Sequence, residues 1–138
     1  MSIKVPDQGL QNLLEDLRLK LNSLGNIAIR LFNNNYTPAA GDTPSSYTEA
    51  TFPGYSRVNT TLGAATIDTT AHKATTTAPI ATFLCTGGGT TEQIYGYYVL
   101  DASANLLWSE RFTGAPFSMS NNGDVIAFQP LLTMISQF

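Results

Sequence analysis

QIYGYYVLDASANLLWSERF, residues 93–112, is the stretch that decides the fold of this chain. Aromatic and β-branched residues dominate it, and such residues pack well on the pleated surface of a β-strand. The segment DASAN at 101–105 is short, small and polar, and therefore predicts a hairpin loop between two strands. Neither predicted strand has a purely polar face, so we expect the hairpin to lie centrally and to be covered on both sides. Its predicted core residues are Tyr95, Tyr97, Val99, Trp108 and Phe112.

Strict alternation along the hairpin assigns each side chain to a face, because successive residues of a strand point to opposite sides. On the first strand it predicts Tyr95 and Tyr97 on one face, with Ile94 and Tyr98 on the other. On the returning strand it predicts Leu106 on the same face as Trp108, Glu110 and Phe112.

The composition indicates one domain with an unusual surface. The 138 residues suffice for one substantial core, and 43% of them are hydrophobic. Only 12% are charged, which is about half the usual share. Threonine, serine and asparagine replace the charge, and a hydroxyl costs much less to desolvate than a carboxylate or an ammonium. Such a surface is typical of a subunit with neighbours, and also of many secreted β-proteins.

Charge and cysteine content exclude several classes of function. The net charge is −3, and the seven lysines and arginines are scattered, so we expect no nucleic-acid partner. Cys85 is the single cysteine and lies in the apolar run 80–85, which predicts a buried thiol rather than a nucleophile. No stretch approaches the roughly 20 apolar residues of a membrane span, and the N-terminus has no apolar signal core. We therefore expect assembly in the cytoplasm and no membrane contact.

The N-terminal residues 1–6 predict an extended arm. Ile3 and Val5 fall on one side of it, and Pro6 ends it. A few residues before a helix rarely pack firmly, so the arm is expected to have no partner within its own chain.

An amphipathic helix is predicted over residues 7–25. Asp7 can accept hydrogen bonds from the free amides of its first turn, and Gly25 supplies a left-handed stop. Leucines recur at spacings of three, four and seven residues, which places them on one stripe. Two roles are open for this helix: closing the core of a sheet, or contacting another subunit. The stripe leucines are Leu10, Leu13, Leu14, Leu17, Leu21 and Leu24.

Residues 26–138 predict short strands joined by tight turns, and hence an antiparallel β-sandwich or jelly-roll-like barrel. Residues 56–77 predict two short strands that face mostly outward near a sheet edge. The long loop 33–46 is rich in Asn, Pro, Gly and Ser, and loops of this length are usually functional or mobile. The chain thus divides into an arm (1–6), a helix (7–25) and one β-sandwich domain (26–138).

No arrangement of residues predicts catalysis, a metal site or a cofactor. His72 is the single histidine and is predicted to be solvated. Ser109 lacks the glycine-flanked elbow of a hydrolase nucleophile, and Gly87–Gly89 lack the lysine of a phosphate-binding loop. The aromatic residues Tyr95, Tyr97 and Trp108 allow two interpretations, a core with wet tyrosine hydroxyls or a stacking platform for sugar rings.

The order of motifs resembles that of small bacteriophage virion proteins. The strand AIRLFNN at 28–34, the Thr37-Pro38 pair and the segment 47–55 carry the resemblance. The strands 94–100 and 106–112 and the NNGD turn at 121–124 complete it. These motifs are structural ones and cover most of the chain, while residues 56–77 match least.

The resemblance implies a non-enzymatic head decoration (cement) protein, or a tail-associated virion protein. Its implied partners are the major capsid protein or other virion proteins, and its implied location is the virion. It also implies a homo-oligomer, with a trimer expected, because cement proteins commonly sit where capsid subunits meet in threes. A carbohydrate-binding module is the alternative from another class. The residues expected to contact a partner are Ile3, Val5, Tyr36, Thr37 and Pro38.

Overall fold

The computed structural model describes residues 4–136, so the predicted contact Ile3 lies outside the described residues. The chain is mainly β, with a single N-terminal helix and antiparallel sheets in a sandwich-like arrangement, as predicted. Helix α1 spans Asp7–Leu24, and a single 3-10 turn covers Pro44–Ser46. The strands are β1 (Ile27–Phe32), β2 (Val58–Thr60), β3 (Thr66–Asp68), β4 (Lys73–Thr77), β5 (Ala81–Thr86), β6 (Glu92–Ile94), β7 (Gly96–Leu100), β8 (Leu106–Arg111), β9 (Phe117–Met119), β10 (Asn122–Phe128) and β11 (Leu131–Ile135).

The predicted hairpin forms half of a four-stranded antiparallel sheet with the order β2-β1-β7-β8. Its central strand β7 pairs with β1 in a register that sets Val99 against Ile29. The loop closes because the Asp101 carboxylate accepts hydrogen bonds from the backbone N–H groups of Ser103 and Asn105, both at 2.9 Å. The hairpin is therefore confirmed, and β7 is central and buried as predicted, but β8 is the edge strand of the sheet and is only partly buried.

Strands β4 and β5 run against β11 and β10 as one long, interrupted two-stranded ribbon. The ladder breaks where Pro79 and Pro130 interrupt the two strands, because a proline has no N–H to donate. Two hydrogen bonds bridge the break, one from the N–H of Ala78 to the carbonyl of Pro130 at 3.0 Å and one from the Gln129 side-chain amide to the carbonyl of Ala78 at 3.1 Å. We call this pairing of residues 73–86 with 122–135 the ribbon.

The main core lies between the four-stranded sheet and the inner face of the β5–β10 half of the ribbon. Phe83 of β5 stacks on Tyr55 at a centroid distance of 5.9 Å and on Phe128 of β10 at 6.0 Å. The free cysteine, Cys85, is buried in this core, as predicted. Its other buried residues are Leu21, Ile27, Ile29, Leu31, Ala50, Phe52, Leu62, Ala78, Ala81, Ile94, Tyr97, Val99 and Met119.

Helix α1 covers the inner face of the β11-β4-β3 sheet and forms a second core there. The buried residues of the helix are Leu10 and Leu14, which lie in this second core, and Leu21, which lies in the main core. The helix ends before Gly25, whose φ is 126°. The predicted cap was wrong: Pro6 occupies the cap position, and Asp7 is the first helical residue. The Asp7 carboxylate instead contacts Nδ1 of His72, which lies in the turn between β3 and β4, at 3.0 Å.

Two irregularities change the predicted faces of the hairpin. Tyr95 stands between β6 and β7, so Ile94 joins the main core with Tyr97, while Tyr95 packs with Tyr98 on the opposite face. The pairing of β7 with β8 shifts in register after Val99, which breaks the alternation of faces along β8. Leu106 therefore lies on the face opposite Trp108.

The prediction of two short, mostly outward-facing strands in residues 56–77 was wrong, because a third strand, β4, forms there and is buried on one face. This strand is central in its sheet, between β11 and β3, and lies directly beneath α1. Ala74 and Thr76 are completely buried, and the Thr76 hydroxyl donates a hydrogen bond to the carbonyl of Gly63 at 2.5 Å. The outward prediction holds for β2 and β3, which are edge strands.

Candidate interaction surfaces

The long loop after β1 is held down by one carboxylate. Asp42 accepts hydrogen bonds from the hydroxyls of Tyr36 at 2.6 Å and Tyr47 at 2.5 Å, and from the N–H of Ala39 at 2.8 Å. These bonds, the one from Tyr36 first, hold the pKa of Asp42 below its usual value. Burial, followed by the bond to Asp42, raises the pKa of Tyr47 to about 12. The loop is therefore an ordered part of the domain.

Aromatic packing attaches the same loop to the outer face of the four-stranded sheet. Tyr47 stacks on Tyr98 of β7 at 4.9 Å and meets the ring of Tyr36 edge-on at 5.7 Å. Arg111 of β8 donates a hydrogen bond to the carbonyl of Tyr36 at 2.9 Å. Tyr36, a predicted partner contact, is thus half-buried against its own chain, whereas Thr37 is exposed.

The loop and the arm differ in which of the predicted contact residues a partner can reach. Pro38 is half-buried and Thr37 exposed, so these two residues are the part of the predicted loop contact that a partner can reach. Val5 packs against the core beneath α1, and its carbonyl accepts a hydrogen bond from the Ser136 hydroxyl at 2.9 Å. The expectation that the arm has no partner within its own chain was therefore wrong at Val5.

The hairpin aromatics do not share one surface. Tyr97 is 3% exposed, packs on Phe128 at 4.4 Å and donates its hydroxyl to Glu110 at 2.9 Å; burial raises its pKa to about 12. Tyr95 lies on the other face of the sheet, 5.0 Å beneath the Arg111 guanidinium carbon. Because one ring is buried and the others lie on opposite faces, a sugar platform of Tyr95, Tyr97 and Trp108 is not formed.

The other predicted core residues divide between the core and its rim. Val99 is completely buried, as predicted for a central strand. Trp108 and Phe112 are partly buried and pack against the main core. Tyr95 packs in the same partial way on the cluster around Phe32 and Tyr98.

Exposed apolar side chains gather on the outward side of the ribbon, which we call the ribbon face. Leu84 of β5 pairs directly with Val125 of β10 on this side, and both are about half exposed. The ribbon residues 73–86 and 122–135 include only two charged side chains, Lys73 and Asp124. The large exposed apolar residues of the ribbon are Ile80, Leu84, Val125, Leu131 and Ile135.

A second apolar surface is the leucine flank of α1, formed by Leu13, Leu17 and Leu24. These residues belong to the predicted stripe but are 40–52% exposed, because only the other half of the stripe is covered, Leu10 and Leu14 by the β11-β4-β3 sheet and Leu21 by the main core. One half of the stripe therefore closes a core, which is the first predicted role. The other half faces solvent, where it is available for the second predicted role, contact with another subunit. Leu19, also half exposed, lies on the far side of the helix.

The described surface also has concave regions, two of which bear on its apolar and charged residues. A groove of about 350 Å³ lies between the segment 112–117 and the edge of β10, and its lining is largely aromatic and aliphatic. A polar hollow of about 420 Å³ contains Arg30 and Arg57, but Glu49 pairs with both guanidiniums, at 3.5 and 2.7 Å. The bond from Arg57 is the main reason that the pKa of Glu49 is lowered.

Within residues 4–136 no group of three or more His, Cys, Asp or Glu side chains is placed to hold a metal ion. No helix within the described residues combines the length and the apolar character that a membrane span requires. Comparison of the chain with protein-family models, curated proteins and solved structures finds no match.

Proposed function

We propose that this chain is a non-enzymatic structural protein of a bacteriophage virion, a head decoration (cement) protein that binds and stabilises the capsid. The observation that carries the proposal is the ribbon face, a nearly uncharged sheet surface with five large exposed apolar side chains. An excess of exposed apolar side chains on one surface of a domain is typical of a site of protein–protein contact. The phage assignment comes from the order of structural motifs.

The energetics of the ribbon face suit a contact that is made many times over. Complete burial of one large aliphatic side chain contributes about 1.5–3 kcal/mol, so burying half-exposed ones contributes about 1 kcal/mol each. Five such side chains then supply about 5 kcal/mol, and the rigid ladder beneath them requires little ordering. A single contact of this size binds weakly. Copies attached at many equivalent positions gain through avidity.

The proposed partners are the major capsid protein or other virion proteins, and the proposed location is the virion. Thr37 and Pro38 remain predicted contacts, since they are the residues of the predicted loop contact that a partner can reach. A tail-associated position on the same particle is the alternative within this class. Mass spectrometry of purified particles is expected to find the chain in many copies, and its absence from them would contradict the proposal.

A binding experiment with matched variants tests which surface is used. Purified chain is mixed with particles that lack it, and the bound fraction is measured after sedimentation. Leu84→Glu places a charge in the ribbon face at a residue that is 49% exposed, and it is expected to weaken binding at least tenfold. Leu19→Glu makes the same change on the far side of α1 at a residue that is 50% exposed, and it is expected to leave binding unchanged. Equal binding by both variants would contradict a contact through the ribbon face.

A further inference from the structure

Among residues 4–136, strand β11 has an edge whose hydrogen-bonding groups no other strand uses. It is the outermost strand of the β11-β4-β3 sheet, and within residues 4–136 no other strand pairs with its free side. The carbonyl of Pro130 accepts from Ala78, and the N–H of Ser136 donates to His72, so the even-numbered residues face β4. Because alternate residues of an antiparallel strand bond to the same neighbour, Leu131, Thr133 and Ile135 direct their N–H and C=O groups outward.

We propose that this edge binds the same edge of a second copy of the chain, antiparallel and about a two-fold axis at Thr133. Thr133 then faces its own counterpart, and Leu131 faces Ile135 of the second copy. This register uses all six outward N–H groups of the two strands in hydrogen bonds. The two sheets become one continuous six-stranded sheet.

The side chains of the strand are self-complementary in this register. Leu131 is 52% exposed and Ile135 is 66% exposed, and the two-fold axis sets them against each other twice on the outer face. Leu132 and Met134, which are partly buried beneath α1, meet in the same way on the inner face. Apolar residues that meet across the axis on both faces, with no charge along the strand, fit a second copy of this surface.

The leucine flank of α1 lies on the side of the helix that faces this edge. The opposite side is tied toward β3, because Gln11 donates to the carbonyl of Ala65 at 3.1 Å and Glu15 accepts from its N–H at 2.8 Å. Leu13 and Leu17 therefore lie on the β11 side of the helix. Around the proposed axis they meet the same leucines of the second copy and cover the joined inner face.

The size of the contact predicts a weak dimer. The five residues of β11 are about 17 Å long, and the 18-residue helix is about 27 Å long. With a depth of about 10 Å for each, the footprint is about 440 Å² per copy, or about 900 Å² in total. Stable interfaces bury about 1,200–2,000 Å². We therefore expect a monomer–dimer equilibrium that shifts with protein concentration, in place of the trimer that the resemblance implies.

Sedimentation equilibrium of the full chain over a range of concentrations tests the proposal. The wild type is expected to approach the mass of two chains. Thr133→Pro removes an outward N–H that β4 does not use, so it is expected to keep the fold and to weaken dimerisation at least tenfold. Thr133→Val loses the same hydroxyl but keeps the N–H, and is expected to dimerise like the wild type. A wild type of one-chain or three-chain mass, or an unaffected Thr133→Pro dimer, would overturn the proposal.

A charge-swap pair tests the register independently of any effect of proline on folding. Leu131→Glu and Ile135→Lys are each expected to weaken the dimer, since each buries a charge against an aliphatic side chain. The double variant is expected to restore it, because each Glu then faces a Lys of the other copy. Within one strand these positions are about 13 Å apart and cannot pair. A double variant no better than either single variant would overturn the proposed register.

The chain's own N-terminus is the competing occupant of this edge. If the full chain is monomeric and a variant lacking residues 2 and 3 dimerises, the edge belongs to the N-terminus, and the proposal is overturned. These measurements need no virus particle, so they are independent of the proposed virion function.

Discussion

Replacing Gly96 with alanine tests how closely the strands of the central hairpin approach their neighbours. Gly96 pairs with Phe32 of β1 on one side and with Arg111 of β8 on the other. A Cβ atom at this position would overlap the carbonyl oxygen of Glu110 and lie 2.7 Å from the Phe32 ring. The ring has no room to retreat, because it is completely buried and packs on Tyr47 at 5.0 Å.

The expected loss of stability is about 3 kcal/mol. Overpacking a core costs about 1–3 kcal/mol, and a clash with a backbone carbonyl held in a ladder belongs at the upper end of that range. For a domain of this size, such a loss lowers the melting temperature by about 9–15 °C. Gly41→Ala is the matched control, because its Cβ would meet nothing within 4 Å. Its effect on the unfolding free energy is expected to be within about 0.5 kcal/mol of zero.

Urea unfolding followed by the fluorescence of Trp108, the single tryptophan, measures both variants. The partly buried indole packs against the main core, so its emission reports on the region that Gly96 supports. If Gly96→Ala unfolds with the same free energy as Gly41→Ala, the close approach of β7 to Phe32 is not a constraint, and this account of the hairpin is refuted.

Three further measurements test other parts of the structure. Phe83→Ala is expected to cost about 3–5 kcal/mol in urea unfolding, against about 1 kcal/mol or less for Leu84→Ala next to it, because only Phe83 is buried. His72 has a φ of 51°, so His72→Gly is expected to be about 1 kcal/mol more stable than His72→Ala; equal melting temperatures would contradict left-handed strain there. Burial raises the pKa values of Tyr47 and Tyr97 to about 12, whereas a tyrosine of the unfolded chain has a pKa of about 10. The contribution of these two tyrosines to stability is therefore complete below about pH 10 and is lost as the pH rises toward 12. An ultraviolet titration in which all tyrosines ionise near pH 10 in the folded protein would contradict this.

Local patterns in the sequence were enough to predict the elements that depend on neighbours along the chain. The hairpin at 93–112 combines strand-forming residues with a turn that the Asp101 carboxylate closes, and both are local properties. The helix ends at Gly25 for an equally local reason, since its backbone adopts a positive φ. Fold class followed from these elements, because short turns between strands require antiparallel neighbours.

The tertiary structure alone decided which polar groups are satisfied, and by which partners. Arg111 of β8 donates to the carbonyl of Tyr36, 75 residues away in sequence, and so ties a segment with the composition of a mobile loop to the sheet. Asp7 was predicted as a cap but contacts His72, which is 65 residues away in sequence. Such pairs come from segments that the fold brings together, and no periodicity along the chain encodes them.

Burial of each face was also decided by the tertiary structure. The leucine spacing established one stripe on α1, but only the position of the helix over β4 decided that Leu14 is buried and Leu13 half exposed. The same holds for β4, whose Ala74 lies beneath the helix although its sequence resembles that of an outer strand. An alternating pattern shows which residues share a face, whereas burial of that face depends on what packs against it.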